Sequence, residues 1–455
     1  MKIEEYFGEI KHIHLVGIGG ISMSAIAKLC LNFGLQVSGS DSKKSEITEQ
    51  LKLLGVKIYY NHKKDNVKNS DLVVYTCAVS EDNEELISAK MLGIKILERA
   101  DFLHIICKRY NHVIAISGTH GKTTTTAMIG NIFLQAGLNP TIHLGGECEN
   151  FNGNLKIGNT DFFITEACEY KKHLLKLPHE VGVVLNMELD HVECYKNYTE
   201  LNKTFNKFAL DSTKLNVINE KFSSLFDKSN IITFSDSGNA NFVSGEIKIL
   251  KNGKTLFSCY KNGEFFGNFI LGVLGKYNVT NALSAIAVAD HYGIKYKEIY
   301  LGLESFKGIK RRFEYFGKIN NQLVIHDYAH HPTEIENVIN TTKEMFNKPV
   351  LVVFQPHTYS RTKYLFADFV SKLNIADNLV IVPTYPAREK RNQGYDAKKL
   401  FLTIKRLNKN AKYFYSFNKV KSYLERCKDY VILILGAGDV VELAKSIKSD
   451  YLLKN

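Results

Sequence analysis

A glycine-rich stretch that opens a helix carries the clearest chemical signal in this sequence. An apolar, β-branched run of strand type, residues 112–117, leads into Gly118 and Gly121, and Lys122 and Thr123 then begin a helix. The first turn of a helix leaves about four backbone N–H groups unpaired, with partial positive charge behind them, and phosphate oxygens satisfy both. The lysine would reach the β- and γ-phosphates, and the threonine hydroxyl would bind Mg²⁺. The pattern predicts nucleotide binding, with a structural glycine turn as the alternative.

A carboxylate and a histidine follow two further apolar strands. Glu166 comes just after the run 162–165, and His191 follows the run 181–185. Because open α/β sheets bind ligands at the carboxyl ends of their strands, we expect both side chains near the glycine-rich stretch. A carboxylate there suits a second divalent ion that bridges phosphate and substrate oxygens. Imidazole is a better ligand for Mn²⁺ or Zn²⁺ than for Mg²⁺, so chemistry alone leaves His191 open between a metal ligand and a hydrogen-bonded turn residue.

An N-terminal glycine turn imitates a dinucleotide-binding fingerprint. Gly17, Gly19 and Gly20 follow a strand-like run, and Asp41 comes at the end of the next one. Ser22 stands where the third glycine of the fingerprint is expected. The turn could hold the diphosphate of NAD or of another nucleotide, and the alternative is a turn that holds nothing.

Two polar clusters follow apolar strands in the last third of the chain. Segments 327–332 and 355–361 bring together histidines, a tyrosine and an arginine. Arginine pairs with a carboxylate in a bidentate way while polar groups orient an amine, so the clusters suit a small zwitterion. Lys310, Arg311 and Arg312 supply further positive charge, for which the residues alone favour an ordinary surface cluster.

Strand and helix signals alternate in three successive segments, which predicts an α/β fold of parallel sheets covered by helices. The domain boundaries predicted from these signals are 1–107, 108–312 and 313–455. A small β-rich insertion is expected around residues 230–270, and an alanine-rich helix at 281–291.

The composition is that of a globular protein. Hydrophobic residues make up 45% and charged residues 23% of the 455, which suffices for several cores. The net charge of +12 is scattered rather than gathered in blocks, which argues against nucleic acid and favours anionic small substrates. The eight cysteines form no Cys-x-x-Cys pair, and no apolar run reaches the roughly 18 residues of a membrane span. We therefore expect a cytoplasmic protein without nucleic-acid or membrane partners.

The motifs, taken in order, resemble those of the Mur ligase family. The resemblance covers essentially the whole chain and rests on segments 14–24, 118–126, 166–170, 190–191, 275–282, 308–314, 327–334 and 354–357. Ordered motifs in this number are far more specific than any single glycine loop. The chain departs from many relatives at His326 and Thr358, where they carry Asp and Arg, and at 168–170, where they have a longer acidic stretch.

The resemblance implies a Rossmann-like N-terminal domain for a UDP-sugar, a P-loop-type central ATPase domain with a mostly parallel sheet, and a Rossmann-like C-terminal domain that closes over an amino acid. Contacts to the UDP-sugar are implied for Gly17, Gly19, Gly20 and Asp41. ATP binding is implied for Gly118, Thr119, His120, Gly121, Lys122, Thr123, Thr124, Asn278, Asn281, Arg312 and Asp327. The implied metal ligands are Thr123, Glu166 and His191. The amino acid would meet Tyr328, His330, His357 and Arg361.

The reaction implied by the resemblance is ATP-dependent ligation of L-alanine to the lactyl carboxylate of UDP-N-acetylmuramate in peptidoglycan precursor synthesis. It would pass through an acyl phosphate and release ADP and phosphate. Two Mg²⁺ ions, with Mn²⁺ as an alternative, would offset the charge where two anions meet. The implied catalytic residues are Lys122, Glu166, His191, Arg312 and, as a candidate general base, His330.

Alternatives of different classes remain open from the sequence. The nearest is ligation of a tripeptide to the same sugar, which would use nearly the same motifs. A nicotinamide dehydrogenase built on the N-terminal glycine turn and a nucleotide-gated binding module are more distant. We expect the protein to act as a monomer or a homodimer.

Overall fold

The computed structural model describes Gly8 and residues 10–190, 193–227, 230–387, 389–390 and 395–454. Within these ranges the strands form three sheets. We call them, with their helices, the first (12–107), second (112–304) and third (314–454) sheet units.

The first sheet unit is a doubly wound, parallel sheet. Its elements are β1 (His12–Val16), α1 (Ile21–Asn32), β2 (Gln36–Ser40), α2 (Glu46–Leu53), β3 (Lys57–Tyr59), β4 (Leu72–Tyr75), α3 (Glu84–Met91), β5 (Lys95–Glu98) and α4 (Arg99–Cys107). The strand order is β3-β2-β1-β4-β5, and each neighbouring pair is parallel. The order reverses beside β1, so the glycine turn after β1 lies where such sheets bind ligands.

The second sheet unit contains a mixed sheet. Its elements are β6 (His112–Ser117), α5 (Lys122–Gln135), β7 (Thr141–Cys148), β8 (Gly153–Lys156), β9 (Phe162–Glu166), β10 (Val181–Val184), α6 (Tyr198–Asp211), β11 (Leu215–Asn219), α7 (Glu220–Ser223), β12 (Ile231–Ser235), β13 (Phe242–Ile249), β14 (Thr255–Lys261), β15 (Glu264–Leu271), α8 (Lys276–His291) and α9 (Tyr296–Glu304). The order is β15-β14-β13-β12-β11-β10-β6-β9-β7-β8. Strand β6, which leads to the glycine-rich stretch, therefore lies in the interior of the sheet.

The expected insertion around 230–270 is wrong, because these residues extend the main sheet. Strand β12 pairs in parallel with β11, and β13 in parallel with β12. Only β14 and β15 then continue as antiparallel strands on that side. Helix α8 also begins earlier than expected, at Lys276.

Helix α5 is buried against the sheet and the helices around it. Its side chains Met128, Ile129, Ile132 and Phe133 are fully buried. Helix α9 approaches it closely at Gly302, where an added Cβ would lie 2.6 Å from the Cα of Ile132. This packing fixes the helix whose first turn carries Lys122.

The third sheet unit has a second parallel sheet with one antiparallel edge. Its elements are β16 (Glu314–Ile319), β17 (Gln322–Asp327), α10 (Pro332–Phe346), β18 (Val350–Phe354), α11 (Tyr359–Tyr364), α12 (Phe366–Leu373), β19 (Asn378–Ile381), α13 (Ala397–Lys405), β20 (Ala411–Tyr413), α14 (Phe417–Leu424), β21 (Val431–Leu435) and α15 (Val441–Lys454). The order is β16-β17-β21-β18-β19-β20, with only β16 antiparallel to its neighbour. Strands β18 and β21 are buried along their whole length, as expected for continuous apolar runs.

The α/β fold class with three mostly parallel sheets is confirmed. The predicted boundaries at 107 and 312 fall in the connections between sheet units, and they stay predictions. Among the described residues, none of the helices has both the length and the apolar character needed to cross a membrane. The eight cysteines all lie in the described part of the chain, and each has a free thiol.

Candidate active site

The phosphate loop, residues 118–124, connects β6 to α5 in a conformation that requires glycine. Gly118 has φ of 138° and Gly121 has φ of 85°, both in the range that disfavours other residues. An added Cβ at Gly121 would lie 2.6 Å from the side-chain oxygen of Asn281. The side-chain oxygen of Asn186 accepts the N–H of His120 at 2.8 Å, which holds the loop against the segment after β10. The loop thus leads directly into the first turn of α5, whose N–H groups have no partner within the helix and suit an anion.

Lys122 is paired within the protein. Its ammonium group lies 2.9 Å from the carboxylate of Glu169 and donates to the carbonyl oxygen of Thr119 at 3.1 Å. Burial disfavours the charged form, but Glu169 more than offsets this and raises the pKa of Lys122. The sequence interpretation missed Glu169, although it lies three residues after Glu166.

Thr123 and Glu166 lie together beside the loop. The Thr123 hydroxyl donates to one carboxylate oxygen of Glu166 at 3.0 Å, and the N–H of Gly145 donates to the other. Burial raises the pKa of Glu166 despite the positive charge of Lys122 nearby. A desolvated carboxylate beside a hydroxyl fits a hard divalent cation such as Mg²⁺, which would supply the missing charge. The third predicted ligand, His191, lies outside the described residues.

A cavity of about 810 Å³ opens between the phosphate loop and the third sheet unit. Its volume is in the range of small-molecule sites. The residues predicted for ATP that line it are His120, Gly121, Thr124, Asn278, Asn281, Arg312 and Asp327. The remaining predicted loop residues, Gly118, Thr119, Lys122 and Thr123, lie in the same loop. The side chain of Asn281 donates to that of Asn278 at 3.2 Å, so the two amides form one wall.

Glu334 organises the side of this cavity that the third sheet unit provides. It occupies the first turn of α10 and accepts from Arg312 at 3.2 Å and from the backbone N–H of His330 at 3.1 Å. It also lies 3.3 Å from a ring nitrogen of His120. The sequence interpretation missed Glu334, although its place three residues after the helix cap His331 is typical of a capping box.

The interpretation of residues 310–312 as a surface cluster is wrong for the two arginines. Arg312 lines the cavity, and its pKa is raised by Glu334 and Asp327 although burial acts against the charge. The guanidinium of Arg311 packs 4.7 Å from the ring of Tyr328. Only Lys310 has the expected exposed character.

Asp327 braces the turn that carries these arginines. One carboxylate oxygen accepts the N–H of Phe313 at 2.8 Å, and the other accepts the N–H of Ala329 at 2.7 Å. Burial raises the pKa of Asp327 to about 6, against the effect of Arg312. Its position in the cavity wall agrees with its predicted place, while its bonds show that it also fixes the backbone.

A second cavity, of about 540 Å³, is lined by Tyr328, His357 and Arg361 among others. The guanidinium of Arg361 is paired with Asp190 of the second sheet unit, at 2.9 Å for Nε–Oδ1 and 3.0 Å for Nη2–Oδ2. Its third nitrogen donates to His357 at 3.0 Å. The positive charge predicted to meet an amino-acid carboxylate is therefore compensated by Asp190, a partner that the sequence interpretation did not find.

His330 packs against two residues of this second cavity, Tyr328 and His357. Its Nδ1 atom is 3.0 Å from the carbonyl oxygen of Tyr328, and its ring packs at 5.8 Å from that of His357. Burial and the nearby Arg361 lower the pKa of His330 to about 3, even though Glu334 acts in the opposite direction. The lowered pKa favours the neutral imidazole and makes it a weaker base, and the general-base role of His330 stays a prediction.

The N-terminal glycine turn uses its own amides internally. The N–H of Gly17 donates to the carbonyl oxygen of Ser40 at 2.8 Å, and that of Gly20 to the carbonyl oxygen of Gly17 at 3.2 Å. The N–H of Gly19 donates to Asp41 at 2.9 Å. These amides are therefore hydrogen-bonded within the protein, and the approach of Gly17, Gly19 and Gly20 to a diphosphate stays a prediction. The first turn of α1, which follows the glycines, adds N–H groups that have no partner within the helix.

A positive side chain stands at that first turn. Arg99, at the start of α4, donates to the hydroxyl of Ser22 at 3.2 Å. His143 of the second sheet unit lies 3.1 Å from the same hydroxyl. The sequence interpretation missed both residues, because nothing near them in the chain indicates an anion site.

The two departures from the family pattern are accounted for by local contacts. His326 is buried in β17 with one ring nitrogen 2.8 Å from the carbonyl oxygen of Ile434. Thr358 caps α11, where its hydroxyl accepts the N–H of Arg361 at 3.4 Å. Both side chains serve the backbone of the third sheet unit.

Comparison with known proteins gives a consistent result along the chain. The family model "Mur ligase family, catalytic domain" matches residues 12–111, "Mur ligase middle domain" residues 116–289, and "Mur ligase, glutamate ligase domain" residues 311–438. The UDP-N-acetylmuramate–L-alanine ligase of Clostridium beijerinckii is 41% identical over 445 residues, which cover 95% of this chain and 96% of that protein.

Solved structures agree with the sequence matches. The UDP-N-acetylmuramate–alanine ligase of Thermotoga maritima aligns with a TM-score of 0.85 at 31% identity, covering 98% of this chain and 100% of that one. A murein peptide ligase of Psychrobacter arcticus aligns with a TM-score of 0.70 at 22% identity over 97% and 98% of the two chains, a likeness of fold alone. With family models matched along most of its length and a relative of this identity, the chain belongs to the Mur ligase family.

Proposed function

We propose that the protein joins L-alanine to the lactyl carboxylate of UDP-N-acetylmuramate, with ATP as the source of energy. The observation that carries this proposal is the large cavity in which His120, Gly121 and Thr124 of the phosphate loop and Arg312 form parts of one wall, together with a second cavity lined by Tyr328, His357 and Arg361. The 41% identity to the alanine ligase of Clostridium beijerinckii over almost the whole chain supports this choice of sugar and amino acid.

The reaction needs a phosphoryl group to pass between two anions. A carboxylate is a poor acyl donor because oxide would have to leave, so its oxygen first attacks the γ-phosphorus of ATP and ADP departs. The resulting acyl phosphate has a good leaving group. Lys122 and Arg312 offset the negative charge that gathers between the two substrates, and their salt bridges hold them in place before substrates bind.

Magnesium fits the pair formed by Thr123 and Glu166, and His191 is assigned to it by the family pattern alone. When bound there, the ion neutralises phosphate charge and aligns oxygen atoms for transfer. Glu166 remains available to it because its carboxylate lies at the carboxyl end of β9, at the same edge of the sheet as the loop.

The amino acid then attacks the acyl phosphate with its neutral amine, and the tetrahedral intermediate collapses to amide and phosphate. We assign Tyr328, His357 and Arg361 to its pocket, and we assign a positioning role to His330, whose ring packs against Tyr328 and His357. We assign binding of the UDP part of the sugar to the first turn of α1, near Arg99. We further propose that the protein works in the cytoplasm as a monomer or homodimer.

The test is release of ADP by the purified chain with UDP-N-acetylmuramate and one amino component at a time. L-alanine should support the fastest release, glycine less, and the tripeptide L-Ala-γ-D-Glu-meso-diaminopimelate almost none. Preference for the tripeptide would assign the chain to murein peptide ligation instead. Ligase activity would be contradicted if none of the three amino components caused substrate-dependent release of ADP.

A further inference from the structure

Two histidines and a glutamate meet where the phosphate loop contacts the third sheet unit. His120 belongs to the phosphate loop, Glu188 to the segment after β10, and His331 to the cap of α10. One ligand atom from each lies within 4.8 Å of the other two. They come from three separate parts of the chain, so no local motif indicates the cluster.

The spacing of these atoms suits a bound ion better than hydrogen bonds. The Oε2 atom of Glu188 lies 3.5 Å from Nε2 of His120 and 3.4 Å from Nδ1 of His331, an atom that also accepts the N–H of Thr333 at 3.4 Å as the cap of α10. Hydrogen bonds of this kind are mostly about 2.7–3.2 Å long. Two ligands held at about 2.0–2.1 Å from a tetrahedral zinc ion are themselves about 3.4 Å apart. The three ligand atoms lie within 4.8 Å of one another, so side-chain movements of about 1 Å bring them to this spacing.

Two ring nitrogens of the cluster are buried and make no hydrogen bond. Among the described residues, Nε2 of His120 and Nε2 of His331 are buried without a hydrogen-bond partner. The whole of His331 is only 4% exposed. A buried polar atom without a partner is costly, and such an exception in a native structure indicates an ion, a water molecule or a function.

Outer contacts orient the cluster as they do in metal sites. Glu334 lies 3.3 Å from Nδ1 of His120, on the far side of the ring from Glu188. The hydroxyl of Thr333 donates to Oε2 of Glu188 at 2.6 Å. A carboxylate behind a ligating histidine, and a hydroxyl on a ligating carboxylate, fix the direction of metal ligands.

We propose that His120, Glu188 and His331 bind a divalent cation of the Zn²⁺ class, which fastens the third sheet unit to the phosphate loop. Imidazole with one carboxylate suits zinc, whereas Mg²⁺ prefers an octahedron of oxygens. The site is distinct from the Thr123 and Glu166 pair, and it requires neither nucleotide nor sugar. His120 and Glu188 also line the large cavity, which gives an ion a path to the site.

The test is a titration with Co²⁺ in the absence of nucleotide and sugar. The full chain is used after a chelator has removed any bound metal. Cobalt takes the place of zinc and reports tetrahedral coordination through its visible absorption. A slightly alkaline buffer is used because the metal must displace a proton from His120. One equivalent should bind with a tetrahedral spectrum, and Glu188→Gln and His331→Gln should each weaken binding by more than about 10-fold.

Two control variants locate the ion. Glu166→Gln removes the magnesium candidate, and His62→Gln removes a partly exposed histidine that pairs with Glu85 in the first sheet unit. Both should give the same tetrahedral cobalt spectrum as the parent. The proposal is overturned if Glu188→Gln and His331→Gln bind as tightly as the parent, if only Glu166→Gln loses binding, or if no tetrahedral spectrum forms.

Two independent ligand variants keep the test decisive should one of them fail to fold, which circular dichroism reports. Since no substrate is present, a failed ligase assay would leave this result unaffected. Conversely, loss of the cobalt spectrum in every protein would contradict the ion site and say nothing against the ligase.

Discussion

Lys122 shows how a functional cation is prepared before any substrate arrives. A lysine side chain is long and flexible, yet this one is held by Glu169 and by the carbonyl oxygen of Thr119. The same contacts mean that a phosphate group competes with Glu169 for the ammonium group. The spacing of Lys122 to two glycines predicted that it binds phosphate. That motif gives no information on Glu169, whose carboxylate compensates the charge of the lysine.

Replacing Lys122 with alanine should reduce turnover by about 10²-fold or more, as removal of other preorganised charge stabilisers does. The measurement is ADP release at saturating substrates. The control is the double variant Lys122→Ala/Glu169→Gln, which also removes the carboxylate left buried by the first change. If the double variant regained most of the activity, the loss would come from that uncompensated charge and not from missing phosphate contacts.

The charge of His120 should make stability depend on pH. Burial opposes protonation, but Glu334 and Glu188 raise the pKa of His120 to about 9, from an ordinary value near 6.5. A raised pKa in the folded state contributes stability that is fully present below about pH 6.5 and is lost as pH rises through about 9. The loss is at most on the order of 3 kcal/mol. In thermal unfolding without metal, the unfolding temperature of the parent should therefore fall over this pH interval. The unfolding temperature of His120→Gln should fall less. Equal pH dependence in both proteins would contradict the ion pairs.

Whole elements were easiest to predict where the sequence gives a continuous signal. Strand β18 has the bounds expected from its unbroken apolar run, because both of its faces are buried. The residues of β12–β15 were recognised as β-rich, but their pairing with β11 depends on contacts across the fold and not on their own pattern. Helix α8 begins at a polar stretch after Gly275, so its start carried no apolar periodicity.

The phosphate loop offers a matched comparison of two glycines. Gly121 has φ of 85° and Gly137, at the end of α5, has φ of 75°. An added Cβ at Gly121 would lie 2.6 Å from the side chain of Asn281, whereas at Gly137 it would meet nothing within 4 Å. Each Gly→Ala change should cost about 1–2 kcal/mol of unfolding free energy from the backbone alone.

Only Gly121→Ala should also raise the KM for ATP, because Asn281 must move away from the cavity wall. Gly137→Ala should leave that KM unchanged. Urea unfolding and initial-rate kinetics on both variants measure the two effects separately. Equal KM values in the two variants would show that Asn281 does not respond to the loop.

At the scale of the molecule, contacts between sheet units are what the sequence could not supply. The resemblance predicted the ATP and amino-acid residues as separate groups. Ion pairs connect these groups across the second and third sheet units: Glu334 pairs with His120 and with Arg312, and Asp190 pairs with Arg361. These pairs depend on how the two units lie against each other. Asp190 and Arg361 lie 171 positions apart in the chain and belong to no common motif, so only the assembled fold reveals that they are partners.

The pair formed by Asp190 and Arg361 should couple the second and third sheet units energetically. The two side chains are 8% and 9% exposed and share two hydrogen bonds. A double-mutant cycle with Asp190→Asn and Arg361→Gln, followed by urea unfolding, should give a coupling of about 1–3 kcal/mol, because both charges are desolvated and their geometry is bidentate.

The control is Lys276 with Glu344, an ion pair of 3.1 Å between the same units whose side chains are 58% and 46% exposed. Its coupling should stay below about 1 kcal/mol, as for other exposed pairs. Equal coupling in the two cycles would mean that the buried pair does not hold the units together.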